Sequence, residues 1–177
     1  MVASGTANEG PNSISADTPA LRTTLSPGGA VQHTVIPWPR DDHAMAGKFR
    51  YLDFDALVLI NKEVVSLRGE KHVYEEEDEK RMKSMLRLIE DLDAGTSIED
   101  GLVKKGALLV FKIASGQNFH EGNKRTALVA GLTFLKMNGF EFDVEDPRLV
   151  SVVDRAGVAK ATLKEVEDVL GLLTIHV

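Results

Sequence analysis

One stretch of the chain gathers side-chain types that can handle an anion: Gly116-Gln117-Asn118-Phe119-His120-Glu121-Gly122-Asn123-Lys124-Arg125-Thr126-Ala127-Leu128. It reads as a loop leading into a helix N-terminus. Gly122 is free to adopt positive φ, and the backbone N–H groups at the helix start have no intrahelical acceptor. Such a nest attracts anions, phosphate above all. Lys124 and Arg125 fall in the first helical turn, where the helix dipole favours acids, so they work against the helix unless an anion sits there. A polyphosphate would remove the conflict. Glu121 beside them is a hard-oxygen ligand of the kind that holds Mg²⁺ while the metal bridges phosphate oxygens. Spacing alone also fits a plainer reading, a polar interhelical loop with a Gly-Asn turn and a solvated Lys-Arg pair.

The elements that must position this stretch are helices. Asp53 is the expected N-cap of a helix carrying Phe54, Leu57, Val58, Asn61, Val64 and Val65 at three- and four-residue steps and ending near Gly69. A second amphipathic segment runs from about Glu77 to Leu92, with Met82, Met85, Leu86 and Ile89 on one face as core filling. Ser97, with Asp100 three residues on, opens a helix carrying Leu102, Leu109, Val110 and Ile113. Arg125 to Met137 is apolar nearly all round, which suits the centre of a bundle, and Asn138-Gly139 supplies its stop. Asp146-Pro147 starts a further helix, and Thr162 with Glu165 the last. Phe140, Phe142 and Val144 alternate with acids, the pattern of a short strand. Six helices with little strand predict an all-α domain over residues 48–177.

Residues 1–47 read differently. Five of the six prolines lie there, with many Ser, Thr and Gly and little apolar periodicity, so a flexible tail is expected, with Trp38 as its one large apolar group. With 177 residues the chain is sized for one domain with a core. The 27 acidic against 21 basic side chains give a net charge of −6, which argues against general nucleic-acid binding. Cysteine is absent, which excludes disulfides, thiolate zinc sites and cysteine nucleophiles. The longest charge-free apolar run, Thr126 to Leu135, is ten residues, too short to span a bilayer. The opening MVASGTANEGPNS has neither a basic start nor an apolar core, so no secretory signal and a cytoplasmic location are expected.

The stretch FHEGNKRTALVAGLTFLKMNG resembles the signature of the Fic/Doc family, His-Pro-Phe-x-acidic-Gly-Asn-(Gly or Lys)-Arg. With Lys124 in place of the second glycine and Thr-Ala-Leu following, it is similar to the Doc branch, the death-on-curing toxins. The likeness extends from about residue 49 to about 173 through the Phe49-Arg50-Tyr51-Leu52 start, the Asp53 helix, the Gly69 turn and the helix order. It implies a Fic/Doc-type bundle of about six helices with a small flap, and transfer of part of a nucleotide to a hydroxyl of a target protein. Fic members mostly transfer AMP. The Doc branch is known for moving the terminal phosphate of ATP to a translation elongation factor. By resemblance Glu121 holds Mg²⁺, and Gly122, Asn123, Lys124 and Arg125 cradle the phosphates of ATP. The segment from Arg68 to Tyr74 takes the place of the flap that aligns the target by main-chain pairing. A translation factor and an antitoxin are the implied protein partners.

The pattern breaks at the position of the family's catalytic histidine, which falls on Gln117, and at the following proline, which falls on Asn118. That histidine is the general base; a carboxamide can orient a hydroxyl but cannot take its proton. His120 sits at the variable position of the motif, and its side chain is expected to point away from the place of the base. His33, His43, His72 and His176 show no ligand spacing, and Asp41-Asp42-His43 is a metal cluster only on paper. The second arginine of Fic enzymes falls on Leu128, in keeping with the Doc branch. Ser66-Leu67-Arg68-Gly69-Glu70-Lys71 only partly matches the family's inhibitory pattern and lies in the flap, so self-inhibition is not expected. Three readings follow: a Doc-like transferase impaired at Gln117, a degenerate nucleotide- or partner-binding module or an AMP transferase, and an active toxin whose histidine has been exchanged.

Overall fold

The computed structural model describes residues 21–25, 31–35, 49–93, 95, 97–142 and 146–176. The chain divides into two units, residues 1–40 and 41–177. In the first, β1 (Leu21–Leu25) and β2 (Val31–Val35) pair antiparallel with Leu21 opposite Val35. Composition gives no expectation of this hairpin within the tail; its signal is the run of Leu, Thr and Val on either side of Pro27-Gly28-Gly29. The rest of residues 1–47, Trp38 and the Asp41-Asp42-His43 run with it, lies outside the described residues.

The second unit is the all-α bundle the periodicity predicts. Helix α1 spans Phe54–Ser66, and the Asp53 carboxylate accepts from the Ala56 N–H at 2.8 Å. Helix α2 spans Glu76–Asp91 with four acids in its first turn, the end where the helix dipole favours them. Helix α3, Ile98–Ser115, starts on Ser97, whose hydroxyl accepts from the Asp100 N–H at 3.0 Å. Helix α4 spans Asn123–Met137. A short strand β3 (Phe140–Phe142), helices α5 (Pro147–Ala156) and α6 (Leu163–Leu173), and strand β4 (Thr174–His176) complete the chain. The alternation at Phe140 and Phe142 is a strand, and its partner is β4, with Phe140 opposite His176.

Helix α3 is the axis, packed by α2, α4, α5 and α6. Ile113, Leu109, Phe134, Leu135, Leu57 and Met82 are fully enclosed between these helices. Helices α3 and α4 approach closely because α4 carries glycine at the crossing: a Cβ on Gly131 would lie 2.2 Å from Val110 Cγ2. Segment 49–52 is tied to the far end of α4 by Asn138, whose amide donates to the Arg50 carbonyl and accepts from the Arg50 N–H, both at 2.9 Å. Lys105 is buried on α3, where an apolar side chain would be expected. Its ammonium donates to the carbonyls of Ile89 and Glu90 at 2.7 and 2.8 Å, closing the C-terminal end of α2, and faces the rings of Phe49 and Tyr51. Burial holds its pKa below the usual lysine value.

The α5–α6 corner gives a test by pH. Glu165 accepts from the Arg155 guanidinium at 2.7 Å and from the Thr162 N–H at 2.8 Å. The Arg155 bond first, and then the Thr162 backbone bond, pull its pKa from 4.5 down to about 2. A depressed carboxyl pKa contributes stability that is complete above the unfolded value and is lost as pH falls through the folded one. The melting-temperature advantage over Glu165→Gln should therefore shrink as pH falls from 4.5 towards 2. An advantage that holds constant across that window, followed by circular dichroism, would contradict this assignment.

Candidate active site

The site is built where α3 hands over to α4. Asn118 is buried, and its amide donates to the carbonyls of Lys112 and Ile113 at 3.1 and 3.4 Å, closing the end of α3. Gln117 is exposed and held at φ 45, in the left-handed region that side chains other than glycine seldom adopt. Its carbonyl accepts from Arg81 of α2 at 3.2 Å. Phe119 is buried against His72 and Tyr74 of the flap, and the His120 N–H donates to the Val73 carbonyl at 3.1 Å. The segment expected as the flap, Arg68 to Tyr74, starts in a turn and has no regular secondary structure from residue 70 onward, and its Val73 carbonyl meets the loop.

Asn123 closes the loop from its other end. Its side chain accepts from the Phe119 N–H at 2.9 Å and donates to the Phe119 carbonyl at 2.5 Å. Gly122 sits at φ 78, and a Cβ there would lie 2.6 Å from Val65 Cγ1, so both backbone and space require glycine. The first helical bond of α4 runs from the Thr126 N–H to the Gly122 carbonyl at 2.8 Å. This leaves the N–H groups of Asn123, Lys124 and Arg125 without intrahelical acceptors, and the helix has neither a side-chain cap nor an acid in its first turn.

These groups open on a cleft of about 280 Å³, lined by Gln117, His120, the stretch from Glu121 to Arg125, and by Ala114 and Gly157 opposite. The carboxylate of Glu121 is exposed and has no partner among the described residues. Lys124 reaches Asp154 of α5 at 3.3 Å. Arg125 donates to the Val64 carbonyl at 2.9 Å and forms an ion pair with Glu70 of the flap. Thus each of the two cations of the site has one ion-pair partner, at a part-exposed contact that an incoming phosphate can compete with. His120 turns its Nε2 towards Glu75, 3.7 Å away.

The sequence pattern of the Fic/DOC family matches residues 43–135, more than half of the chain. The chain belongs to the Fic/DOC family. Among curated proteins none matches it. Members of the family transfer phosphate or nucleotide groups to protein targets and use ATP with Mg²⁺. In this Fic/Doc domain the matched residues include α1 with its cap Asp53, the flap, the loop from Gln117, and α4 as far as Leu135.

Of the stretch singled out in the sequence, Gln117 and the residues from His120 to Arg125 line one cleft, while Asn118 and Phe119 are buried beneath them. Asn123 differs from the expectation in where its side chain goes: it is spent on the Phe119 backbone and leaves its N–H to the cleft. Several further residues reach the site from other elements. Asn61 of α1 bonds the loop, His72 bonds Asn61, Arg81 bonds Gln117, Asp154 meets Lys124, and Glu70 meets Arg125 despite the incomplete inhibitory pattern around it. Only Asn61 carries a signal in the sequence, as a polar residue on an otherwise apolar helix face. Among the described residues, no group of three or more His, Asp or Glu side chains is placed to hold a metal. Glu121, which lines the cleft, is a single hard-oxygen donor of the kind Mg²⁺ takes in ones or twos.

Proposed function

We propose that this Fic/Doc domain is a Doc-type protein kinase, moving the terminal phosphate of Mg-ATP to a hydroxyl of a target protein, at a rate lowered by Gln117. The observation that carries the reading is the uncapped N-terminus of α4. Three backbone N–H groups, Lys124 and Arg125 converge there on a cleft that also receives the Glu121 carboxylate. The N–H groups bind the phosphates, Lys124 and Arg125 neutralise them, and Glu121 is the residue that holds Mg²⁺. When bound, the metal would supply charge neutralisation to the phosphates. Leu128 supports phosphate over AMP transfer, because where AMP-transferring members have a second arginine this chain has an apolar side chain packed on the core.

The target segment lies along the flap, residues 70–75, with its hydroxyl beside Gln117. The hydroxyl oxygen attacks the γ-phosphorus, the bond to the β-phosphate oxygen breaks, and ADP leaves. The Gln117 carboxamide accepts a hydrogen bond from the hydroxyl and orients it, and the proton passes to solvent or to the transferred phosphate. Positioning and charge neutralisation, the larger part of phosphoryl transfer, remain. The compartment that suits this reading is the cytoplasm, with a translation factor as target and an antitoxin as the restraining partner. Among the described residues no helix is long and apolar enough to cross a membrane.

Gln117 itself favours a second reading, a nucleotide-binding module that has lost its chemistry. The two separate on incubation of the protein with a cell lysate and ATP labelled at either the γ- or the α-phosphate. Slow labelling of a protein band from the γ-position alone is the expected result. Label from the α-position would make the domain an AMP transferase, and nucleotide binding without any label would make it a module.

A further inference from the structure

Among the described residues, Asn61 is the fully enclosed polar side chain that reaches the motif loop from another helix, and both donors and one acceptor position of its amide are used. Its Nδ2 donates to the Glu121 carbonyl at 2.9 Å and to the Thr126 hydroxyl oxygen at 2.9 Å, with no solvent exposure of the residue. Its Oδ1 lies 2.5 Å from Nδ1 of His72 in the flap. A carbonyl can only accept, so the bond to Glu121 fixes which end of the amide is nitrogen. The oxygen must then face His72, which therefore carries its proton on Nδ1. Burial, and after it the nearby Lys62 charge, lower the His72 pKa.

The acceptors are what make this contact more than packing. One is the peptide group joining Glu121 to Gly122, whose plane sets the direction of the Glu121 carboxylate and the entry into α4. The other is the Thr126 hydroxyl in the first turn of α4. We infer that Asn61 is a positioning residue, oriented by His72, that aims the Glu121 carboxylate at the metal of a Mg-bound polyphosphate; this rests on the proposed function of the cleft. Flap, α1 and the anion-binding turn thereby meet at one buried amide.

The test is calorimetry of ATP binding with and without Mg²⁺ for the wild-type chain, Asn61→Asp, His72→Phe and Glu121→Gln. Asn61→Asp keeps the size and the acceptor for His72 but turns an acceptor towards the Glu121 carbonyl. It should weaken Mg-ATP binding about 10- to 100-fold, the usual loss when a group that orients a metal ligand is removed. Metal-free ATP should bind as before, and the Asn61→Asp effect should vanish in a Glu121→Gln background, because it acts through that carboxylate. His72→Phe leaves the core intact and should show a smaller loss of the same Mg-specific kind, so the inference stays testable if Asn61→Asp does not fold. Equal losses with and without metal, an undiminished loss in the Glu121→Gln background, or no Mg-specific loss in His72→Phe would overturn it. If the wild-type chain binds no nucleotide, the proposed function falls. Amide exchange at Gly122 to Thr126 then decides the positioning role: acceleration in His72→Phe, with global stability kept, supports it, and unchanged exchange overturns it.

Discussion

Gln117→His should raise γ-phosphate transfer by about 10²–10⁴-fold, the range a well-placed general base contributes. The other residues to which the proposal gives a role line one cleft: Glu121, the start of α4 with its uncapped N–H groups, Lys124 and Arg125. Residue 117 lies on the rim of that cleft at φ 45, and histidine is among the residues that enter the left-handed region most readily after glycine. The exchange therefore asks for no backbone change, and Arg81 would still hold the residue 117 carbonyl. His120→Ala in the restored protein should leave the rate nearly unchanged, because His120 faces Glu75 at the start of α2 and not the hydroxyl position beside residue 117. Label arriving from the α-phosphate instead would place the chain among the AMP transferases. No label from either position, with nucleotide bound and a family target supplied, would make the domain a binding module.

Arg125→Ala should weaken ATP binding by roughly 1.5–3 kcal/mol, about 10- to 150-fold in Kd, the worth of a charge-assisted hydrogen bond. In the free protein Arg125 is held by the Val64 carbonyl and the Glu70 carboxylate, with about a third of each ionic side chain exposed. A phosphate entering the cleft has to share that guanidinium with Glu70. Removing Arg125 takes away the phosphate contact and leaves the Glu70 charge unopposed at the rim, so both consequences weaken binding. Glu70→Gln should act in the opposite direction and tighten it, since the guanidinium no longer divides its charge. Calorimetry giving Arg125→Ala the same affinity as the wild-type chain would remove Arg125 from the site.

The local order of the bundle was legible because its signals are short-range. Asp53, Ser97 and Asp146 cap helices by bonds that span two or three residues, and each helix starts where its cap stands. The turn at Gly122 and the absence of acids after it likewise follow from neighbouring residues. The family signature suggested the roles proposed for Glu121 to Arg125, and those residues line one cleft.

What the sequence could not reveal are contacts between residues far apart in the chain. Asn61 meets Glu121 and Thr126 across 60 and 65 positions, and Arg125 meets Glu70 across 55. Nothing in the residues around Glu70 says that it will lie on Arg125; that depends on how the flap folds back over the start of α4. Lys105 reads as a misplaced charge on an apolar face until the end of α2 arrives above it with two free carbonyls. The same holds for β3, whose alternation is visible while its partner β4 is not. Helix periodicity and capping follow from the geometry of one or two turns, so the sequence by itself determined the six helices and the turn at Gly122. Partners across the bundle depend on crossing and register, fixed only when all the apolar faces pack at once, so the tertiary structure alone decided what surrounds that turn.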